Sequence, residues 1–303
     1  MSAPAESATT ANFVAATATP ATATTTAITP NNRKLSLSYR EISVQQRGDR
    51  ISVITFNRPA VRNALTRRGY YELISALRDA RLNDAITTIV LTGADGCFTA
   101  GNDLTQLSQY PDAHNYFRSS NYVLRMLVKQ FIYCPKVLVA LVDGACVGIG
   151  FVLAALCDVV YCTERAYFQA PFTQLGICPE GCATYLLPQL LGRVKASELL
   201  LFGTRLHAEE ALNFNFVARI VPAAELERQL WPQLLEAARL PVESLRATKR
   251  LLGRAELEQL LLALEAECRV VEPLRFGETY QRAIKAFVKR EEREEVVDNK
   301  SKL

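Results

Sequence analysis

Two histidines, His114 and His207, are all the imidazole that the chain carries. A His-rich zinc or iron site is therefore excluded, and a Ser-His-Asp triad would have to use one of these two. Proton chemistry falls to carboxylates, thiols and main-chain dipoles. Glu180 is the carboxylate in the most informative setting, within Leu175-Gly176-Ile177-Cys178-Pro179-Glu180-Gly181 at the start of a helical pattern. Acids are favoured at helix N-termini, so a capping role stands beside the acid/base one. Two glycine turns each follow a strand pattern: Cys97-Phe98-Thr99-Ala100-Gly101-Asn102-Asp103-Leu104 and Asp143-Gly144-Ala145-Cys146-Val147-Gly148-Ile149-Gly150. Neither is a GxGxxG or Walker loop. Such turns aim main-chain N–H groups outward without a side chain in the way, and two of them converging on one point would form an oxyanion hole.

The elements that must position these groups alternate between strand and helix. Leu35 to Val44 alternates apolar and polar residues, Arg47-Gly48-Asp49-Arg50 turns, and Ile51 to Phe56 returns as a hairpin. Thr66 to Leu82 has apolar residues at helical spacing with Thr66 as N-cap. A buried strand over Thr88 to Thr92, a helix over Ala113 to Ile132 and a strand over Lys136 to Val142 follow. Short strands are expected at Asp158 to Cys162 and Tyr167 to Ala170, then one helix from Gly181 through Phe202. This order predicts stacked βαβ units with parallel pairing, and from Ala223 onward nearly continuous helix. Val137 to Cys157 is apolar apart from Asp143, but its glycines make it a buried strand, turn and helix rather than a membrane span.

Composition narrows the partners. With 35 basic and 31 acidic residues the net charge is +4, too balanced for a nucleic-acid surface. Eight cysteines without a CxxC pair read as buried thiols in a reducing compartment. Residues 1–32, nearly all Ala, Thr, Ser and Pro, read as a disordered leader, and with no arginine before Arg33 they lack a transit-peptide pattern. Ser301-Lys302-Leu303 matches the peroxisomal address.

Taken in order, Asn57-Arg58-Pro59-Ala60-Val61-Arg62-Asn63-Ala64-Leu65, Phe98 to Leu104, Asp143 to Gly150 and Ala170-Pro171-Phe172 through Gly181 closely resemble the crotonase (enoyl-CoA hydratase/isomerase) superfamily. The resemblance implies an α/β fold, a spiral of ββα units, over residues 33–222. Residues 223–298 would form a helical region for oligomerisation and CoA capping, usually in trimers or pairs of trimers. It implies main-chain oxyanion donors at Ala100 and Ile149. The family's hydratases hold water between two glutamates, and those positions match Val152 and Phe172 here, which argues against hydration. Glu180 matches the single acid/base of the peroxisomal Δ3,Δ2-enoyl-CoA isomerases, with Val152, Phe172 and Ile177 expected to desolvate it. The implied reaction moves a proton from C2 to C4 of a 3-enoyl-CoA in β-oxidation in the peroxisomal matrix. A catalytically silent acyl-CoA- or partner-binding protein is the other reading. The acyl-CoA would contact Ala100, Gly101, Asn102, Asp103, Leu104, Arg62, Phe172 and Lys289, with no metal and no cofactor beyond the CoA of the substrate. Asn102 would hydrogen-bond Glu180 or a water, or else fill an ordinary turn role, Asp103 would cap its turn, and Arg58 or Arg62 would replace the lysine common where Ala60 stands. The implied partners are an acyl-CoA thioester, the import receptor and further copies of the chain, with no nucleic acid and no membrane.

Overall fold

The computed structural model describes residues 39–105 and 113–301, and the side chains among them except those of residues 113, 114, 254 and 290–301. The leader, the first part of the expected hairpin, the side chain of His114 and the Ser-Lys-Leu ending lie outside the described side chains. Strands β1 (Ile42–Arg47) and β2 (Ile51–Phe56) form the antiparallel hairpin. Helix α1 (Arg67–Leu82) starts at Thr66, whose side chain accepts from the N–H groups of Arg68 and Gly69. Strand β3 (Thr88–Gly93), α2 (Ala113–Ile132) and β4 (Val137–Val142) follow where the periodicity places them.

After β4 the chain inserts a short strand, β5 (Ala145–Val147), before α3 (Ile149–Ala155). Strands β6 (Val159–Cys162) and β7 (Tyr167–Gln169) come next. The single helix expected from Gly181 to Phe202 is two, α4 (Ala183–Leu191) and α5 (Arg193–Phe202), because Gly192 at φ 74° and ψ 154° breaks the helical path. Strand β8 (Arg205–His207), helix α6 (Ala208–Asn213) and β9 (Arg219–Ile220) complete the strand-bearing part. His207 is exposed and precedes α6, as its sequence context suggests. Helices α7 (Trp231–Ala237), α8 (Val242–Arg254), α9 (Leu257–Phe276) and α10 (Glu278–Ser301) follow.

The larger sheet runs β1-β2-β3-β4-β6-β9, parallel from β2 onward, and the smaller runs β5-β7-β8. Both faces of the larger sheet are covered, which explains the uninterrupted apolar run of β4. One face buries Ile54, Phe56, Ile89, Leu91, Leu138 and Ala140 in the main core with α1 to α4. The other buries Val53, Val90, Val139 and Leu141 against Trp231 and Leu234 of α7. Helix α9 packs on α2 and α4, and the described residues from Tyr39 onward form one compact unit. The helical region is therefore not a separate lobe from the strand-bearing part. Among the described residues, no helix is long and apolar enough to cross a membrane.

Candidate active site

Main-chain pairing draws the two glycine turns together. Thr99 N–H donates to Ala145 O at 3.0 Å, and Val147 N–H returns to Thr99 O at 3.0 Å. Gly101 (φ 91°) then lies so close to the opposite turn that a Cβ there would sit 2.8 Å from Val147 O and 3.7 Å from the Cα of Gly148. Only glycine tolerates that approach at a positive φ. Ile149, the first residue of α3, has its N–H outside the helical ladder, as the oxyanion expectation requires. Ala100 does not fit that expectation, because its N–H already donates to Arg62 O at 2.9 Å. Leu65 N–H is taken by Gly101 O and Asp103 N–H by Leu65 O, which leaves Asn102 N–H without a partner among the described residues. The N–H free to donate on this turn is therefore that of Asn102, two residues beyond Ala100.

Glu180 lies beside these turns, ahead of α4, and is 1% exposed. Two left-handed residues, Gly181 (φ 79°) and Cys182 (φ 78°), separate it from the helix. Its carboxylate does not cap α4. That role belongs to Glu267 of α9, which accepts from Cys182 N–H (2.6 Å), Thr184 N–H (2.7 Å) and the Thr184 hydroxyl (2.5 Å). Glu180 instead spends its two oxygens separately. Oε1 accepts from Asn102 Nδ2 at 3.2 Å, and Oε2 from Arg275 Nη2 at 2.5 Å. Tyr70 donates its hydroxyl to Asn102 Oδ1 at 2.6 Å, which fixes the amide with its NH₂ towards Glu180. Burial pushes the Tyr70 phenol well above its ordinary range, so it remains a donor.

Val152 and Phe172, apolar at the positions matched to the hydratase glutamates, are buried, and Ile177 is 7% exposed. The surroundings of Glu180 are nevertheless not apolar throughout, since Arg275 reaches it from α9. Glu180, Asn102, Asp103 and Leu104 line one cavity with Leu65, Tyr70, Arg275 and Tyr280. Ala100, Gly101, Ile149, Phe172, Arg62 and Lys289 lie outside that lining; Arg62 reaches the Tyr167 hydroxyl at 3.2 Å, and Lys289 is exposed on α10. Arg58 is a strut, donating to Ala64 O (2.6 Å) and pairing with Asp103 (2.9 Å). Asp103 also accepts from Thr105, in keeping with its expected turn role. The eight cysteines are free thiols, and burial pushes that of Cys178, two residues before Glu180, up to about 11. Among the described residues no group of three or more His, Cys, Asp or Glu side chains could hold a metal ion.

Burial raises the Glu267 carboxyl to about 7, against the donors that lower it. The folded chain then holds a proton at pH values where the unfolded chain, near 4.5, has released it. Its contribution to stability is complete below about 4.5 and falls as pH rises to about 7, by on the order of 3 kcal/mol. Denaturant unfolding of the parent and of Glu267→Gln across that window should show the parent losing stability relative to the variant. Parallel curves would contradict it.

A mainly parallel sheet with helices on both faces, and two paired glycine turns beside the buried Glu180, define a crotonase fold. The chain belongs to the enoyl-CoA hydratase/isomerase family, which matches residues 46–295. It is 39% identical over 241 residues to the "Enoyl-CoA delta isomerase 2" of Rattus norvegicus, an alignment of 79% of this chain and 61% of that protein. The match to "Enoyl-CoA delta isomerase 3, peroxisomal" of Mus musculus is 35% identical, covering 79% and 76%. The crystal structure of an enoyl-CoA hydratase/isomerase from Pseudoalteromonas atlantica T6c superposes with a TM-score of 0.75 at 28% identity, covering 83% of this chain and 98% of that one.

Proposed function

We propose that this chain converts 3-enoyl-CoA to 2-trans-enoyl-CoA, within the β-oxidation of unsaturated fatty acids. The observation that carries this reading is the buried Glu180 carboxylate lining the cavity, with apolar Val152 and Phe172 at the positions where acids would be needed to activate water. Asn102 N–H and Ile149 N–H receive the thioester oxygen as it gains charge. Glu180 takes a proton from C2, and the C–H electron pair enters a dienolate spanning the thioester oxygen to C4. The same proton returns at C4, the C2–C3 double bond forms and the thioester carbonyl is restored. Each donor is worth on the order of 10²–10³ in rate.

Gly101, Leu104 and Phe172 shape the acyl path, while Arg62 and Lys289 meet CoA outside the cavity. No cofactor is needed beyond the CoA of the substrate. The Ser301-Lys302-Leu303 ending and the peroxisomal mouse relative support a peroxisomal matrix location reached through the import receptor. The helices over 223–298 are assigned to a homotrimer or hexamer.

The test follows the absorbance of the conjugated enoyl thioester. Purified protein given 3-enoyl-CoA should produce it, and the same protein given 2-trans-enoyl-CoA should not hydrate it. Hydration without isomerisation would overturn the reading, and inactivity on both substrates would favour the silent acyl-CoA-binding alternative.

A further inference from the structure

Arg275 is the cation that the sequence reading did not place at the site. It is 6% exposed in the last turn of α9, and its guanidinium is divided between two partners. Nη2 meets Glu180 Oε2, while Nη1 donates to Asn121 Oδ1 at 2.7 Å. Asn121, fully buried on α2, is itself fixed, donating to Glu272 Oε2 at 3.1 Å and to Cys268 O at 3.3 Å. The far side of Glu180 is therefore anchored through α2 and α9, and the near side through Asn102 and Tyr70.

We propose that Arg275 is a positioning residue for proton transfer: by occupying Oε2 it leaves Oε1, beside Asn102, as the oxygen that takes the C2 proton and returns it at C4. This rests on the isomerase reading of the same site. A carboxylate free to rotate would present either oxygen and lose alignment with one of the two carbons. Held at Oε2, it presents one oxygen to both. When Oε1 carries the proton, Glu180 is neutral beside a buried, unpaired guanidinium. That state is costly, which favours return of the proton to the dienolate and restoration of the ion pair.

The charged and titratable groups that act on Glu180 are Tyr70 on α1, Glu267, Cys268 and Arg275 on α9, Tyr280 on α10 and Cys178 on its own segment. Arg275 is the one cation among them. The test compares pH profiles of kcat/KM for the parent, Arg275→Gln, Arg275→Lys and Asn121→Leu. Arg275→Gln should move the acidic limb up by about one unit or more, since an opposite charge in contact with a carboxylate is worth that much. Arg275→Lys keeps the charge but cannot serve both partners, so its acidic limb should stay while kcat falls at least about tenfold. Asn121→Leu should behave like the lysine variant.

An acidic limb that does not move in Arg275→Gln would overturn the proposal, as would kcat within about twofold of the parent in both Arg275→Lys and Asn121→Leu. A readout independent of turnover separates this from failure of the isomerase reading. Difference infrared titration of the Glu180 carboxyl, assigned by its loss in Glu180→Gln, should show protonation at higher pH in Arg275→Gln than in the parent. A parent that does not isomerise 3-enoyl-CoA overturns the assigned reaction and this role in it together. Normal turnover with an unshifted Glu180 titration in Arg275→Gln overturns the positioning role alone.

Discussion

Glu180→Gln is expected to lower kcat for 3-enoyl-CoA by on the order of 10²–10⁴, the usual weight of a positioned acid/base, with KM close to the parent value. The substitution keeps the side-chain length and removes the ability to hold the migrating proton. It also has a structural consequence. Glu180 accepts on both oxygens, from Asn102 and from Arg275, and a glutamine can accept on one face only. The other face sets an NH₂ against a donor, or leaves Arg275 buried without its anion, at a cost of about 3–5 kcal/mol. Assays should therefore run well below the variant's midpoint, with circular dichroism confirming that it is folded. Glu180→Asp is the complementary variant, since it keeps the charge one methylene short of both partners, and it should be impaired as well. Because Glu180 is 1% exposed, a proton on it is shielded from bulk water. With C2-deuterated substrate in ordinary water, the parent should carry part of the label to C4. Full activity of Glu180→Gln would remove Glu180 as the base.

Much of the scaffold around this carboxylate was legible because its causes are local. Thr66 caps α1 through contacts two and three residues away, and β4 shows its burial as an unbroken apolar run. The misread features depend on distant partners. Whether Ala100 or Asn102 keeps a free N–H is decided by Arg62 O and Leu65, some 35 residues earlier in the chain. Glycines in the turn announce exposed donors, but not which of them the neighbouring segment consumes.

Glu267 and Arg275 left a signal that was readable in principle. They fall on the buried stripe of α9 with Leu260, Leu264, Cys268 and Val271, where a charged side chain survives only with a partner. The stripe says that partners exist, and the tertiary fold says that they are the α4 N-terminus and Glu180. One helix thus supplies both the cap that fixes the Cys182 turn and the cation that pairs with Glu180.

The oxyanion arrangement can be tested without touching any side chain that contacts the base. Gly101→Ala should reduce kcat/KM by on the order of 10² or more, the value of a displaced oxyanion donor. Its Cβ would lie 2.8 Å from Val147 O, a main-chain atom that cannot move without carrying Gly148 and Ile149 with it. A positive-φ alanine is also strained in itself, by about 1–3 kcal/mol. Gly192→Ala separates the two effects. Gly192 has φ 74°, joins α4 to α5, and has nothing within 4 Å of its Cβ position. Both variants should lose stability by thermal melting, but Gly192→Ala should keep kcat/KM within about twofold of the parent. If both lost activity equally, strain rather than separation of the turns would be responsible, and the pairing of Asn102 N–H with Ile149 N–H would lose its support. If only Gly101→Ala did, the activity would depend on the distance between the two turns, which is what a hole built from one N–H on each requires.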